Sequence, residues 1–309
     1  MVRDPVFSSS GHSTRKVAFA GCREFSGILA DDAFALPFLT ARGIEVVGWS
    51  WDDPDAPWAE HDAVVIRSTW DYSERIEEFE RWIKCLRETG VRVLNPPDLL
   101  LWNARKTYLR DLEARGVAIV PTLFVEPDEV STLPDKIRSL DATQVIVKPA
   151  VSAGARGLIR LRSDEVEARQ SELTALAVYG TLLVQPYLAE VETEGEWSLL
   201  YLGGKPSHAV LKMPKPGDFR VHEHFGGSVY PLTPPSEFLR AAEEVVTAAP
   251  DLTLYARVDL IRAGSRVLLG ELEVLEPLLY LEHDPLAPAR FAAAIDEAVP
   301  GLGGSDGLS

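Results

Sequence analysis

The sequence predicts an α/β protein in which a small domain with an open parallel sheet precedes a larger, strand-rich region. Two observations predict this class. Between Lys16 and Pro97, short apolar runs alternate with segments of helical periodicity, which is typical of parallel strands joined by helices. From Trp197 onwards, apolar runs follow one another through glycine-containing turns, which favours antiparallel hairpins.

The elements of the first domain follow from the spacing of its apolar residues. We predict strands in four short apolar runs: 17–20, 44–49, 63–66 and 91–94. Segment 32–41 is a predicted helix, and so is Glu74–Glu88, whose apolar residues recur every three or four positions. Ligands of open parallel sheets bind at the carboxyl ends of the strands, so we expect a substrate site there.

The same patterns predict the later elements. Strands are expected at 122–125, 144–148, 158–161 and 181–185, and then in the runs SLLYLGG, HAVLK, ARVDLI and RVLLGELEVLEP. Helices are expected at 106–115, 164–176 and 288–298. Residues 1–15 and 301–309 have no periodicity and are predicted to be a flexible arm and tail.

Composition narrows the class of function. The formal net charge of -16 argues against a general nucleic-acid binder, because affinity for phosphate backbones needs clustered Lys and Arg. The two cysteines, Cys22 and Cys85, have no paired spacing, which fits a reducing compartment. No apolar run suits a membrane span or a signal peptide. We expect a cytoplasmic protein with a small-molecule partner, and a homodimer because that is the commonest assembly.

A loop rich in polar and aromatic side chains follows the strand predicted at 63–66: Arg67, Ser68, Thr69, Trp70 and Asp71. A guanidinium such as that of Arg67 binds a carboxylate or phosphate through two parallel hydrogen bonds. The alternative is a loop in which Asp71 or Ser73 only caps the next helix. We predict a site for a zwitterion such as an amino acid, because strand-end loops are where these sheets bind ligands.

Three acidic residues near the end of the chain predict a metal site. Glu271 and Glu273 lie on one face of a predicted strand, since successive side chains alternate faces. A hairpin turn at Ala263-Gly264-Ser265 would bring Asp259 beside them. Converging carboxylates suit Mg²⁺ when phosphate supplies the other ligands. The alternative is an acidic, solvent-facing strand.

A segment rich in small residues predicts a phosphate-binding loop. Lys148 ends a predicted strand, and Ser152, Gly154, Arg156 and Gly157 follow it. An ammonium group and several backbone N–H groups could then converge on one anion. The alternative is a glycine hairpin in which the Lys148 side chain packs its methylene groups along the surface and keeps its ammonium group in water.

The order of these motifs resembles the ATP-grasp superfamily: Lys106, Lys148 with its small-residue loop, the segment VQPYL, then Arg257, Asp259 and Glu271-Leu-Glu273. The resemblance runs from about Asn103 to Pro277. It implies two α+β subdomains that grip ATP, at 103–188 and 189–300, after a substrate-side α/β domain at 16–102.

The resemblance also implies how ATP is held. Lys106 and Lys148 match the two lysines that bind the nucleotide's phosphates, and Ser152–Gly157 match the loop that closes over them. The adenine site falls on four consecutive residues: Gln185, Pro186, Tyr187 and Leu188. Glu196 stands where an acidic residue holds the ribose. Taken alone, QPYL could equally be a strand stopped by proline.

The remaining motifs concern catalysis. Asp259, Glu271 and Glu273 match the metal ligands, and two Mg²⁺ ions are implied, with Glu271 bridging them. Arg257 would stabilise the transferring phosphoryl group. A glutathione-synthetase-like segment adds two candidates for contact with an acyl phosphate, Arg220 and Lys212. His222 and His224 lack a third close ligand, so we do not expect zinc.

Together with NPPDLLLWN ahead of Lys106, the residues Arg67, Ser68 and Thr69 resemble the ATP-grasp ligases that include D-cycloserine synthetase. This implies an ADP-forming ligase that joins a carboxylate to an amine as an amide, or within one molecule such as O-ureido-D-serine. Two alternatives stay open: a small-molecule kinase, and a non-catalytic ATP-binding regulatory protein.

Overall fold

The computed structural model describes residues 14–251 and 254–300. The predicted tail at 301–309 lies outside the described residues, and so does nearly all of the arm predicted at 1–15. The described chain forms one parallel sheet followed by two antiparallel sheets, which confirms the predicted fold class. No helix in this part of the chain is long and apolar enough to cross a bilayer.

The first sheet has the strand order β2-β1-β3-β4, with every neighbouring pair parallel. Its strands are β1 (Arg15–Gly21), β2 (Ile44–Ser50), β3 (Ala63–Ser68) and β4 (Val93–Leu94). The accompanying helices are α1 (Ala30–Ala33), α2 (Leu36–Thr40), α3 (Ile76–Glu88) and α4 (Pro97–Asn103). The single helix predicted at 32–41 is wrong, because the chain forms two short helices with Pro37 in the first turn of the second.

The second sheet has the order β5-β8-β6-β7 and is antiparallel. Its strands are β5 (Leu123–Val125), β6 (Gln144–Pro149), β7 (Ile159–Arg162) and β8 (Leu182–Pro186). Its helices are α5 (Tyr108–Ala114), α6 (Leu133–Arg138) and α7 (Gln170–Ala177). Helices α6 and α7 enclose with this sheet a separate apolar core that includes Val147, Leu173 and Val184, whereas α5 packs against the third sheet.

The third sheet has the order β11-β10-β9-β12-β13 and is also antiparallel. Its strands are β9 (Glu196–Leu202), β10 (Lys205–Met213), β11 (Ser228–Pro231), β12 (Tyr255–Ala263) and β13 (Arg266–Glu273). Its helices are α8 (Glu190–Glu194), α9 (Ser236–Ala248) and α10 (Ala287–Ala298).

Short 3-10 helices complete the described structure: Arg23–Phe25, Trp58–Glu60, Trp70–Glu74, Pro127–Thr132, Glu223–Phe225 and Leu281–His283. The first and third sheets share a core, in which Phe19 of β1 and Tyr255 of β12 pack with Phe291 of α10. The Tyr255 hydroxyl contacts the carbonyls of both Ile66 and Leu275, so the end of β13 lies close to the carboxyl end of β3.

Candidate active site

The site is built around the β12–β13 hairpin. The antiparallel register places Asp259 opposite Glu271 and Arg257 opposite Glu273. Alternation along each strand puts these four side chains on one face of the third sheet. A register shift follows Asp259, so the pairing changes immediately beyond the charged residues.

Asp259 is the centre of a buried charge network. It accepts hydrogen bonds from Ser198 at 2.5 Å, from Arg257 at 3.0 Å and from Lys212 at 3.2 Å. Burial alone would raise the pKa of Asp259, but Arg257 and Lys212 hold it well below its ordinary value. Asp259 is therefore ionised across the physiological range.

Glu273 lies at the edge of the same network and forms an ion pair with Arg257. Burial raises the pKa of Glu273 to about 7, because Arg257 only partly offsets the loss of water and the nearby charge of Glu271. The two acidic residues of β13 thus have different ionisation behaviour although they share one strand face.

Two lysines approach Glu271 from other parts of the chain. Lys106 Nζ lies 3.0 Å from Glu271 Oε1 and donates to the carbonyl of Ser152 at 2.7 Å. These cations outweigh burial and keep the pKa of Glu271 below its ordinary value. The ammonium group of Lys148, near the end of β6, has no ion pair or hydrogen bond to any described residue. Burial lowers the pKa of Lys148, so this ammonium would gain from an anionic ligand.

Two cavities meet at these charges. The larger has a volume of about 430 Å³ and is lined by residues of all three sheets and their loops, among them Trp70, Asn103, Lys106, Gly154 and Glu276. The narrower cavity, of about 140 Å³, is lined by all four residues predicted to bind adenine, Gln185, Pro186, Tyr187 and Leu188, and by Glu196. Both are lined by Lys148, Arg257, Glu271 and Glu273.

The narrower cavity lies between the second and third sheets. Its Gln185 side chain donates to Thr122 at 2.9 Å, which fixes the amide at the cavity edge. Glu196 forms an ion pair with Lys212 at 2.5 Å, and both residues line the cavity. The roles predicted for these residues towards adenine and ribose stay predictions.

The small-residue loop covers one side of the larger cavity. Gly154 and Gly157 have positive φ angles of 59° and 70°. A Cβ at Gly157 would lie 3.0 Å from side-chain atoms of both Leu176 and Pro149, and this crowding together with the positive φ favours glycine there. Arg156 forms an ion pair with Glu74 of the first domain, which links the loop to the opposite wall of the cavity.

The positions of Arg67, Ser68, Thr69 and Asp71 do not support the substrate role predicted for them. None of the four lines the larger cavity, whereas Trp70 does. Strand β3 is two residues longer than predicted, and this places Arg67 and Ser68 inside the sheet. Thr69 is fully buried, and Asp71 accepts a hydrogen bond from Trp51 at 2.7 Å.

Arg67 has a structural partner instead of a ligand. Its guanidinium pairs with Asp32 at 2.9 Å and donates to the carbonyl of Pro277 at 3.0 Å, and both charged side chains are buried. It also lies 5.0 Å above the ring of Tyr255. A carboxylate of a substrate cannot reach it in this arrangement.

Arg220 and Lys212 lie away from the larger cavity as well. Arg220 donates to Asp218 at 2.8 Å, lies over the ring of Phe225 and lines only the narrower cavity. Lys212 is buried between Glu196 and Asp259. The predicted contact of these two residues with an acyl phosphate stays a prediction, since both line the narrower cavity, which meets the larger one at Lys148 and Arg257.

Several residues of the larger cavity were not predicted from sequence. Tyr72 and Asn103 line it, and so does Glu276, three residues beyond Glu273. The third glutamate of ELEVLEP, which follows Glu271 and Glu273 closely, could have indicated Glu276 as a site residue. It was missed because β13 ends at Glu273, so strand alternation no longer applies beyond that residue.

The donors of the site fit Mg²⁺ in combination with a nucleotide. Within residues 14–251 and 254–300, no three His, Cys, Asp or Glu side chains form a ready-made metal ligand set. Mg²⁺ needs only one or two protein carboxylates when phosphates and water supply the rest, and Asp259, Glu271 and Glu273 offer oxygen alone. These residues are therefore suited to Mg²⁺ held through phosphate.

Comparison with known proteins agrees with this arrangement. Residues 17–95 match the family model of the N-terminal domain of D-cycloserine synthetase DcsG, and residues 119–256 match the ATP-grasp domain of prokaryotic glutathione synthetase. The chain is 32% identical over 304 residues to the cycloserine biosynthesis protein DcsG of Streptomyces lavendulae, covering 88% of this chain and 98% of that protein. A glutathione synthetase of Prochlorococcus marinus subsp. pastoris is 27% identical over 203 residues, or 61% and 63% of the two chains.

Solved structures give the same result. The crystal structure of D-cycloserine synthetase DcsG has a TM-score of 0.83 at 26% identity and covers 92% of this chain and 100% of that chain. D-alanine–D-alanine ligase from Bacillus anthracis has a TM-score of 0.67 at 13% identity, covers 92% and 96%, and shows the fold alone. The resemblance found in the sequence is confirmed: the chain belongs to the ATP-grasp ligases, in the family of D-cycloserine synthetase DcsG.

Proposed function

We propose that this chain is an ATP-dependent ligase that activates the carboxylate of a small amino-acid-like substrate and then forms a C–N bond. One observation carries the proposal: the two cavities meet at Lys148, Arg257, Glu271 and Glu273. A nucleotide in the narrower cavity would extend its phosphates to this point. A carboxylate held in the larger cavity could meet them there.

Residues at and around this meeting point would bind different parts of the nucleotide and its metal ions. Lys106 and Lys148 would hold the phosphates, and the unpaired ammonium of Lys148 supports this role. ATP and Mg²⁺ are used generally in this family, and Asp259, Glu271 and Glu273 would hold two Mg²⁺ ions. When bound, Mg²⁺ with ATP supplies the phosphoryl group and neutralises its charge.

The reaction proceeds in two steps. Transfer of the γ-phosphoryl group to the substrate carboxylate gives an acyl phosphate and ADP. Arg257 lines both cavities and would stabilise the negative charge of the group in transit. A nitrogen nucleophile then attacks the acyl carbon and loses a proton, and phosphate leaves as the C–N bond forms.

The acyl phosphate must be kept from water between the two steps. The loop at 152–157 covers the larger cavity and is tied to the first domain through Arg156 and Glu74. Closure of this loop would exclude water and hold the nucleophile in place.

We further propose that the nucleophile belongs to the same molecule, so that O-ureido-D-serine is cyclised towards D-cycloserine. Similarity to the Streptomyces protein supports this, because it extends through the first domain as well as the ATP-binding domains. We place the reaction in the cytoplasm and expect a homodimer, which light scattering of the purified protein would test.

Mg²⁺-dependent ADP release tests the proposal. It is measured against D- and L-amino acids and O-substituted serines, O-ureido-D-serine included, with EDTA and with no amino acid as controls. We expect turnover with one carboxylate substrate and, by mass spectrometry, an amide or a closed ring. A stable phosphorylated product would indicate a kinase, and tight ATP binding with no ADP from any substrate would indicate a non-catalytic nucleotide-binding protein.

A further inference from the structure

One acidic residue of the larger cavity has no function in the mechanism above. Glu271 and Glu273 line this cavity and pair with Lys106 and Arg257. Glu276 lines it too, but no Lys, Arg or His of the described chain lies within ion-pair distance of its carboxylate. An acidic group in a partly enclosed cavity without a cation is costly unless a ligand supplies one.

The backbone around Glu276 is held on both sides. The carbonyl of Leu275 accepts a hydrogen bond from the Tyr255 hydroxyl at 2.9 Å, and that of Pro277 accepts one from Arg67 at 3.0 Å. The carbonyl of Glu276 itself accepts one from Trp70 Nε1 at 3.3 Å. Although it lies beyond β13, this segment is thus fixed before any ligand arrives.

Aromatic side chains lie at the same end of the cavity. Trp70 and Tyr72 both line it. The indole of Trp70 is oriented by its bond to the Glu276 carbonyl and by an edge contact with Phe25, with ring centroids 4.9 Å apart. An aromatic face next to a carboxylate is a favourable environment for an ammonium group.

We propose that Glu276, with Trp70 beside it, binds the α-ammonium group of the substrate and so selects an amino acid over other carboxylic acids. This inference rests on the proposed function, since it assumes that a substrate carboxylate lies at the Arg257 end of the cavity. A zwitterion would then span the cavity, with its anionic group towards Arg257 and Lys148 and its cationic group towards Glu276.

The electrostatics agree with this assignment. Burial and the charge of Glu273 raise the pKa of Glu276 well above its ordinary value. Burial and the neighbouring acidic residues, Glu276 foremost, likewise raise the pKa of Tyr72. The free carboxyl of Glu276 therefore holds its proton more readily than usual, and an ammonium group placed beside it would favour the carboxylate form.

Equilibrium binding tests the subsite without requiring turnover. Titration calorimetry would be carried out with Mg²⁺ and a non-hydrolysable ATP analogue present, using O-ureido-D-serine, D-serine and the matching acids that lack the amino group. The variant is Glu276→Gln, which keeps the shape of the side chain and removes its charge. The control is Glu282→Gln, because Glu282 is 58% exposed and lines neither cavity.

We expect Glu276→Gln to weaken binding of the amino acid by about 10- to 100-fold, which is the usual contribution of a hydrogen bond to a charged group. Binding of the acid without the amino group should change by less than about threefold, and ATP affinity should be unchanged. Equal loss for both ligands, or no loss for either, would overturn the subsite.

The two proposals can fail separately. Amino-acid binding that depends on Glu276 but yields no C–N bond in the turnover assay would contradict the proposed function alone. Ligase turnover with acids that lack an amino group, at rates equal to those of the amino acids, would contradict the ammonium subsite alone. A wild-type protein that binds none of these amino acids overturns the subsite as well.

Discussion

The guanidinium of Arg67 lies 2.9 Å from Oδ1 of Asp32, and each side chain is only 1% exposed. The pair joins β3 to α1, and through the Pro277 carbonyl it also holds the segment that follows β13. A residue that had the features of a substrate contact is therefore part of the interface between the first domain and the third sheet.

Replacement of Arg67 should lower the stability of the protein, with little effect on its affinity for the amino-acid substrate. Arg67→Met leaves Asp32 buried without a partner, and we expect a loss of about 3–5 kcal/mol in the free energy of unfolding. Urea denaturation measures this loss, and the double variant with Asp32→Leu should recover part of it. Unchanged stability with a large rise in KM for the amino acid would restore the substrate role of Arg67.

Removal of the charge on Glu271 should abolish most turnover. Glu271→Gln keeps the side-chain shape but removes the carboxylate that pairs with Lys106 and is proposed to hold Mg²⁺. We expect ADP formation to fall by about 100- to 1000-fold, as for other groups that stabilise developing charge. Glu282→Gln serves as the control. A variant with full activity at saturating Mg²⁺ would exclude Glu271 from the metal site.

The ion pair of Arg156 and Glu74 should affect how tightly ADP release is coupled to product formation, and should have little effect on the stability of the fold. Both side chains are more than half exposed, so Arg156→Ala should change the free energy of unfolding by less than about 1 kcal/mol. A less firmly closed loop should admit water, raising ADP release without product by up to about fivefold. The charge-swapped double variant Arg156→Glu with Glu74→Arg should restore coupling. If the single variants show no uncoupled ADP release, the pair has no function in closure.

His222 should make the protein sensitive to acid. Burial, with the nearby cations Lys212 and Arg257, lowers the pKa of His222 to about 4 from 6.5. The unfolded chain takes up this proton first as the pH falls, so stability is lost between about pH 6.5 and pH 4. Urea denaturation of His222→Gln should show an acid-induced loss smaller by about 2 kcal/mol than wild type. An identical pH dependence in the two proteins would contradict the buried, neutral state of His222.

Local patterns predicted some elements well and others poorly. Helix α3 lies within two residues of the prediction, because its apolar residues repeat with helical spacing and pack on one side. The helix predicted at 164–176 begins only at Gln170, since the residues before it form turns. Polar residues at strand ends were hardest to predict: Arg67 and Ser68 belong to β3 because their side chains find buried partners there.

The sequence by itself determined the fold class, the order of the motifs and the shared strand face of Glu271 and Glu273. These depend on the period of a strand and on residue order, which are local properties. Only the tertiary structure decided which charges meet. Arg67 pairs with a residue 35 positions away and bonds to a carbonyl 210 positions away, and Lys106 meets Glu271 from a distant part of the sequence. Such contacts depend on how the sheets pack together, and no local periodicity contains that information.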